Sequence, residues 1–247
     1  NILNTRFEAS ADSVHITPGN FRFENVRLTD PEGHTGYANG TLSHTKLKNL
    51  TYQFRFDTDN MLVYNTQHAT PDFPFYGQIY TTGNVRLRGG DNALNVDGTM
   101  RAENQTSFVY MLASVAEATS NQFITFVDRT PKRHQETIEA EVYHYLNQPD
   151  KDDEKDIPID IKINLQIEPT ERANMKIIMD PIAGDYISAK GNGNLRINFF
   201  NKGDFQIFGD YNITEGIYKM SMQNVIRKDF VLQPGGTVTL NGNPKAA

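Results

Sequence analysis

Residues 190–244 read KGNGNLRINFFNKGDFQIFGDYNITEGIYKMSMQNVIRKDFVLQPGGTVTLNGNP, and this stretch decides the fold. Apolar and polar residues alternate in short runs that are separated by Gly, Asn and Asp turn sequences, among them Glu215-Gly216. A period of two gives each strand one apolar and one polar face, as in antiparallel sheets solvated on one side. The apolar positions are Leu195, Ile197, Phe199, Phe205, Ile207, Tyr211, Ile213, Tyr218, Met220, Met222, Val238 and Leu240. The stretch predicts a long, one-sided antiparallel sheet.

The sharpest alternation in the chain lies just upstream of this stretch. Its apolar positions are Ile157, Ile159, Ile161, Ile163, Leu165 and Ile167. The single residues between them are Pro158, Asp160, Lys162, Asn164 and Gln166. At about 3.3 Å per residue, this pattern predicts a strand about 33 Å long.

The rest of the chain repeats the same pattern less regularly and predicts an all-β protein. The four residues from Asp57 to Asn60 predict a turn after the strand that contains Tyr52, Phe54 and Phe56. One short helix is predicted near 112–120. The expected organisation is an N-terminal part of the sheet over 1–146, a charged linker over 147–156 and a C-terminal part over 157–247.

Composition excludes several classes of protein. The 247 residues carry a net charge of −6, which argues against nucleic-acid binding, and the chain has no Cys for disulfides or thiolate metal sites. It also contains no apolar run long enough to predict a membrane-spanning helix, and its first residues lack a signal-peptide pattern. The chain opens within the strand pattern and ends shortly after a strand, so we expect it to be part of a longer protein.

The sequence contains no complete catalytic or cofactor-binding motif. Gly191-Asn192-Gly193 begins like a dinucleotide fingerprint, but Arg196 stands where the third glycine belongs. The six His form no HxH or HExxH pair, and no GxSxG elbow occurs. The sequence therefore predicts a protein that is not an enzyme and that has no cofactor and no metal site.

Several blocks in a fixed order carry a family resemblance. They are YGQIYTTGNVRLRG (76–89), FITFVDR (123–129), GDY (209–211), EGIY (215–218), QNVI (223–226) and PGG-x4-NG-x-P (234–244). Together they resemble the C-terminal domain of the TamB family of translocation and assembly proteins, in its Bacteroidetes-like form. The resemblance is strong over about 75–247 and weak over the first seventy residues.

The resemblance implies a curved sheet, the β-taco, whose concave side is an apolar trough open to phospholipid acyl chains. It also implies a periplasmic location, an inner-membrane anchor outside this sequence and a TamA-type outer-membrane barrel as partner. The implied roles are phospholipid transport between the two membranes and outer-membrane protein assembly, with nascent outer-membrane proteins as further partners. The implied trough residues are the eighteen alternating apolar positions named above.

The residues alone leave other interpretations open. The same apolar face is also typical of a closed core between two sheets or within a barrel. Two further functions fit the strand pattern: a module that holds β-strands without lipid, and a surface β-sandwich that binds or cleaves glycans. The absence of Trp weakens the glycan hypothesis.

Overall fold

The chain folds into a single β-sheet of fourteen strands in the computed structural model, which describes residues 3–11, 13–70, 73–112, 159–203, 205–222 and 226–243. The all-β prediction is confirmed, and no helix occurs among these residues. The strands are β1 Glu8–Ser10, β2 Val14–Thr17, β3 Asn20–Thr29, β4 Thr35–Thr45, β5 Lys48–Thr66, β6 Phe75–Gly90, β7 Ala93–Ala102, β8 Ser107–Met111, β9 Asp160–Pro169, β10 Asn174–Asp180, β11 Asp185–Phe200, β12 Phe205–Met222, β13 Ile226–Leu232 and β14 Thr237–Gly242.

Six strands at the centre close into a ring of pairings, β6-β7-β9-β11-β10-β8, which forms a six-strand barrel. The long strands β6 and β11 each have one edge shared by two partners. Because β5 runs along one edge of β6, β7 and β8 must both lie along the other. In the same way β12 occupies one edge of β11, and β9 and β10 share the opposite edge.

The sheet folds back on itself along a line of irregularities that crosses the long strands at one level. The register shifts between Thr58 and Met61 in β5 and at Lys190 in β11. Between them, the four-residue links 103–106 and 170–173 interrupt the strand pairs β7/β8 and β9/β10. These links are bonded into the sheet: the Thr106 hydroxyl donates to the Tyr80 carbonyl at 3.0 Å, and the Thr170 hydroxyl to the Ala102 carbonyl at 2.9 Å. Irregularities of this kind bend strands. We call the line that the two register shifts and the two links form across the sheet the hinge line.

The distance between two phenylalanine rings shows how sharply the sheet bends. Leu87 of β6 lies in the same cross-strand row as Phe199 of β11, through Val96 and Ile163. Phe75 precedes Leu87 by twelve residues on β6, which would place it about 40 Å away in a flat sheet. The rings of Phe75 and Phe199 are nevertheless 5.4 Å apart. The two sides of the hinge line therefore face each other as two walls.

The first wall contains β2–β4, β7, β9, β14 and the adjoining parts of the long strands. The second wall contains β8, β10, β13, residues 61–66 of β5, 75–78 of β6, 185–190 of β11 and 216–222 of β12. The main hydrophobic core lies between the walls, with Ile161, Leu195 and Ile207 at 2, 1 and 2 % exposed. Strands β2–β4 pair with one another, with β1 and with β5, and none of their residues belongs to the core between the walls. Among the described residues, the second wall therefore does not pack over them.

Two parts of the predicted fold need correction or lie outside the structure. The sheet is not wholly antiparallel, because β7 pairs with β9 and β8 with β10 in parallel. The register shift near Asn60 shows that the predicted turn at 57–60 is a bulge within the continuous strand β5. From residue 113 on, the predicted helix near 112–120 lies outside the described residues, as does the predicted linker at 147–156. The predicted division into two parts remains a prediction, although strands from both sides of it share one sheet.

Candidate functional site

The strand register brings the predicted trough residues of β9, β11, β14 and residues 205–213 of β12 to one face of the first wall. Ile163 lies opposite Phe199, and Leu165 opposite Ile197. The rows continue into β12, where Phe205 lies opposite Phe199. Because directly opposed residues project from the same face of a sheet, the predicted positions described in these strands form one surface.

The second wall buries seven of the sixteen predicted positions whose side chains are described and leaves the other nine partly or largely exposed. Seven predicted positions are buried in the core: Ile161, Leu195, Phe199, Phe205, Ile207, Tyr211 and Ile213. Eight are half-buried: Ile159, Ile163, Leu165, Ile167, Ile197, Tyr218, Met220 and Leu240. Val238 is exposed, whereas Ile157 and the side chain of Met222 lie outside the described part of the chain. The trough assignment remains a prediction for all of them, but protein atoms already fill the space beside the buried seven.

Five aromatic rings, which we call the aromatic cluster, join the two walls: Phe73, Phe75, Tyr110, Phe199 and Phe205. The Tyr110 ring stacks on that of Phe205 at a centroid distance of 4.5 Å. Phe75 contacts Phe199 at 5.4 Å and Phe205 at 5.9 Å, and Phe73 contacts Phe199 at 5.5 Å. The rings come from both sides of the hinge line, so they hold the walls together. The alternating pattern identified Phe199 and Phe205, but nothing in the sequence indicated their partners in the second wall.

The apolar face continues beyond the barrel onto strands that have no second wall above them. Leu42 lies opposite Tyr52 and Phe21, and Phe23 lies in one row with Phe54. We call this surface the apolar platform; its residues are Val14, Ile16, Phe21, Phe23, Leu42, Tyr52, Phe54 and Phe56. Ile16 is 68 % and Val14 40 % exposed, and the other six are half-buried. The platform was missed as a functional surface from the sequence, although the alternation at Tyr52, Phe54 and Phe56 was visible there.

Glycines beneath the aromatic rings flatten the platform. A Cβ atom at Gly40 would lie 2.4 Å from the Phe54 ring, and one at Gly89 would lie 2.7 Å from the Tyr52 hydroxyl. These rings therefore lie over backbone instead of standing upright, which is how aromatic residues cover glycine positions in sheets. The result is a low apolar floor of ring faces.

A buried polar group attaches the platform to the barrel. The Asp30 carboxylate, in the turn after β3, accepts hydrogen bonds from the backbone N–H of Leu62 on β5 and of His34, each at 2.9 Å. Burial opposes ionisation of Asp30, but these bonds outweigh it and lower its pKa. In the same turn, Glu32 accepts a 2.7 Å hydrogen bond from the hydroxyl of Tyr80 on β6; burial, and then this bond, raise the pKa of Tyr80 to about 12. The turn is thereby fixed against β5 and β6.

The opposite face of the first wall is polar and carries cross-strand ion pairs. Arg88 on β6 pairs with Asp97 on β7 at 2.6 Å, and Lys202 pairs with Asp160 at 2.7 Å. Residues 55, 57, 164 and 166 continue this polar surface on the neighbouring strands. The first wall thus separates an aqueous face from an apolar one.

The described residues contain no group of three or more His, Asp or Glu side chains arranged to hold a metal ion. No helix capable of spanning a membrane is found among them. What distinguishes this surface is its shape and its apolar character.

An extended sheet with one apolar and one polar face is the architecture of an all-β scaffold that presents a surface. A family model, the TamB C-terminal domain, matches residues 24–247. The chain therefore belongs to the TamB C-terminal domain family, which confirms the resemblance seen in the sequence. This is a cell-envelope transport and assembly family rather than an enzyme family, and membership implies association with the TamA outer-membrane partner. Neither the curated proteins nor the solved structures provided a match.

Proposed function

We propose that this chain is a periplasmic segment of a TamB-type envelope protein and that it carries phospholipid acyl chains on its apolar platform. The full protein would be anchored in the inner membrane outside this sequence and would work with a TamA-type barrel in the outer membrane. The apolar face would receive acyl chains where the second wall is missing, and the lipid head groups would remain in water at the rim. The buried trough positions would serve as the core that supports this surface.

The size of the platform is the observation that carries the proposal. From β2 to β5 the platform crosses three strand spacings, which is about 14 Å. One leaflet of a bilayer has a hydrocarbon thickness of about 15 Å, half of the roughly 30 Å core. The width of the platform is therefore close to the length of an extended acyl chain of an ordinary phospholipid.

The platform is also large enough to bind lipid measurably. Three side-chain rows span about 13 Å along the strands, so the flat area is on the order of 190 Å². At about 25 cal/mol per Å², covering it is worth about 5 kcal/mol before any cost of ordering the lipid.

The direct test is to measure lipid on the purified chain by native mass spectrometry and lipid extraction. Phe54→Gln, at the centre of the platform, is expected to reduce bound phospholipid strongly because it places an amide on the apolar floor. Phe200→Gln is the matched control, since Phe200 is also half-buried but projects from the opposite face, beneath Lys162. Equal loading of both variants and the unchanged chain, or no lipid on any of them, would refute the proposal.

A role in outer-membrane protein assembly has separate support at the far edge of the sheet. Strand β13 pairs only with β12, so its second edge is free of described neighbours. Its side chains are largely exposed, with Val231 at 71 %, Ile226 at 51 % and Phe230 at 44 %. Such an edge can add a strand from a TamA-type barrel or from a nascent outer-membrane protein. Photocrosslinking from position 231 tests this: peptide adducts are expected, and adducts to lipid alone would contradict it.

A further inference from the structure

We infer that the aromatic cluster is the inner end of the lipid site, so that acyl chains lie on the apolar face that leads inward from the platform and do not pass between the rings of the cluster. This inference depends on the proposed lipid function and adds to it the boundary of the site. It assigns Phe75, Phe199 and Phe205 a role in determining how far a guest reaches.

The strand register locates the boundary. Phe54 on the platform and Phe199 in the cluster occupy the same cross-strand row, four strands apart. That separation is about 19 Å along an uninterrupted apolar face. A guest on the platform could therefore extend along this row until it meets the cluster.

The contacts between the walls explain why the guest stops there. Phe75 of the second wall contacts both Phe199 and Phe205 of the first wall, and Tyr110 stacks on Phe205. Phe199 and Phe205 are only 6 and 7 % exposed, whereas the platform aromatics are half-buried. An acyl chain needs apolar surface that is open to it, and a close-packed interior offers no such space. Further entry would require these rings to separate.

The walls cannot separate locally, because the same strands build both of them. β6 and β11 pass from one wall to the other through the hinge line, with the links at 103–106 and 170–173 bonded between them. Removing the Phe75 ring is the smallest change that opens the cluster, since this one side chain bridges the two first-wall rings. It leaves every strand pairing intact.

The chain contains no Trp, so a single introduced Trp reports its own surroundings without background. The experiment places one Trp at Phe54, Phe205 or Phe200 in the full 247-residue chain. Each variant is mixed with vesicles of phosphatidylcholine brominated on its acyl chains, because bromine quenches Trp fluorescence at short range. Phe54→Trp is expected to lose at least half of its emission, whereas Phe205→Trp and the outer-face control Phe200→Trp should retain nearly all of theirs.

Adding Phe75→Ala to Phe205→Trp is expected to at least double the quenching of the buried Trp. If the alanine variant does not fold, Phe75→Leu removes the ring while keeping apolar volume, and Phe199→Trp provides a second buried reporter. Strong quenching of Phe205→Trp in the otherwise unchanged chain would overturn the boundary and leave the lipid function standing. No quenching at Phe54 would overturn the lipid function itself, and a Phe75 variant without effect would show that the cluster is not the barrier.

Discussion

Leu195→Ala distinguishes a closed protein core from an open lipid trough more directly than any other substitution. Leu195 was predicted as a trough residue, yet it is 1 % exposed between the walls. Burying a Leu side chain is worth about 1.5–3 kcal/mol, and a cavity term is added when the neighbours cannot collapse. Its cross-strand neighbours are Ile167 and Gly209, and the glycine has no side chain to move into the space. We therefore expect a loss of about 3–4 kcal/mol in the free energy of unfolding.

The measurement is equilibrium unfolding in urea, followed by both circular dichroism and tyrosine fluorescence. With a slope of about 3 kcal/mol per M, the midpoint should fall by about 1 M. Leu47→Ala is the matched control, because Leu47 is 72 % exposed and the same truncation should cost less than about 0.5 kcal/mol. A midpoint for Leu195→Ala that equals that of the control, together with a loss of bound lipid, would show that Leu195 faces a guest and would refute the closed core.

Three further predictions concern the platform and its support. Asp30→Asn should destabilise the chain by about 2 kcal/mol, because the amide nitrogen that replaces one carboxylate oxygen cannot accept and leaves at least one backbone N–H, such as that of Leu62, without its acceptor. Because folding lowers the pKa of Asp30, its ionised carboxylate contributes fully to the free energy of unfolding above its unfolded pKa of about 3.9, and this contribution is lost as the pH falls further. The stability of the variant should therefore depend less on pH in the acid range. Burial raises the pKa of Tyr211 to about 12, so its neutral hydroxyl contributes fully to the free energy of unfolding below about pH 10, and this contribution is lost as the pH rises towards 12. Tyr211→Phe should therefore reduce alkaline unfolding in a pH titration. Gly40→Ala should displace the Phe54 ring and lower lipid loading in native mass spectrometry, whereas Gly236→Ala, which has space for a Cβ, should leave it unchanged.

The sequence predicted the strands well, because alternation is a local property. The part of the predicted run from Ile161 to Ile167 lies in β9, and its apolar positions share one face with those of β11. The prediction of one-sided strands required only side-chain order along the chain. The parallel pairing of β7 with β9 could not be predicted in this way, because it joins segments separated by residues 103–159 and depends on long-range contacts.

The fold-back was missed because its signals resemble those of chain reversals. The residues from Asp57 to Asn60 and the pair Glu215-Gly216 were interpreted as turns between separate strands. In the structure β5 and β12 continue through them, with positive φ at Asn60 and a register shift opposite Lys190. A turn sequence indicates that the backbone departs from regular strand geometry, but it does not indicate whether the chain reverses or only bends. The bend decides which apolar residues are buried and which form the platform.

Because the first wall extends further than the second, the same sheet provides both a stable closed core and an open surface for lipid. Where both walls are present, apolar faces bury each other and supply the stability that a folded chain needs. Where β2–β4 extend alone, the same kind of face must find another partner, and about 5 kcal/mol of gross burial corresponds to a dissociation constant no tighter than hundreds of micromolar. A lipid bound with such a weak affinity dissociates easily, which transport between membranes requires. Extending the second wall over β2–β4 would make the protein more stable and would remove the surface on which the lipid rests.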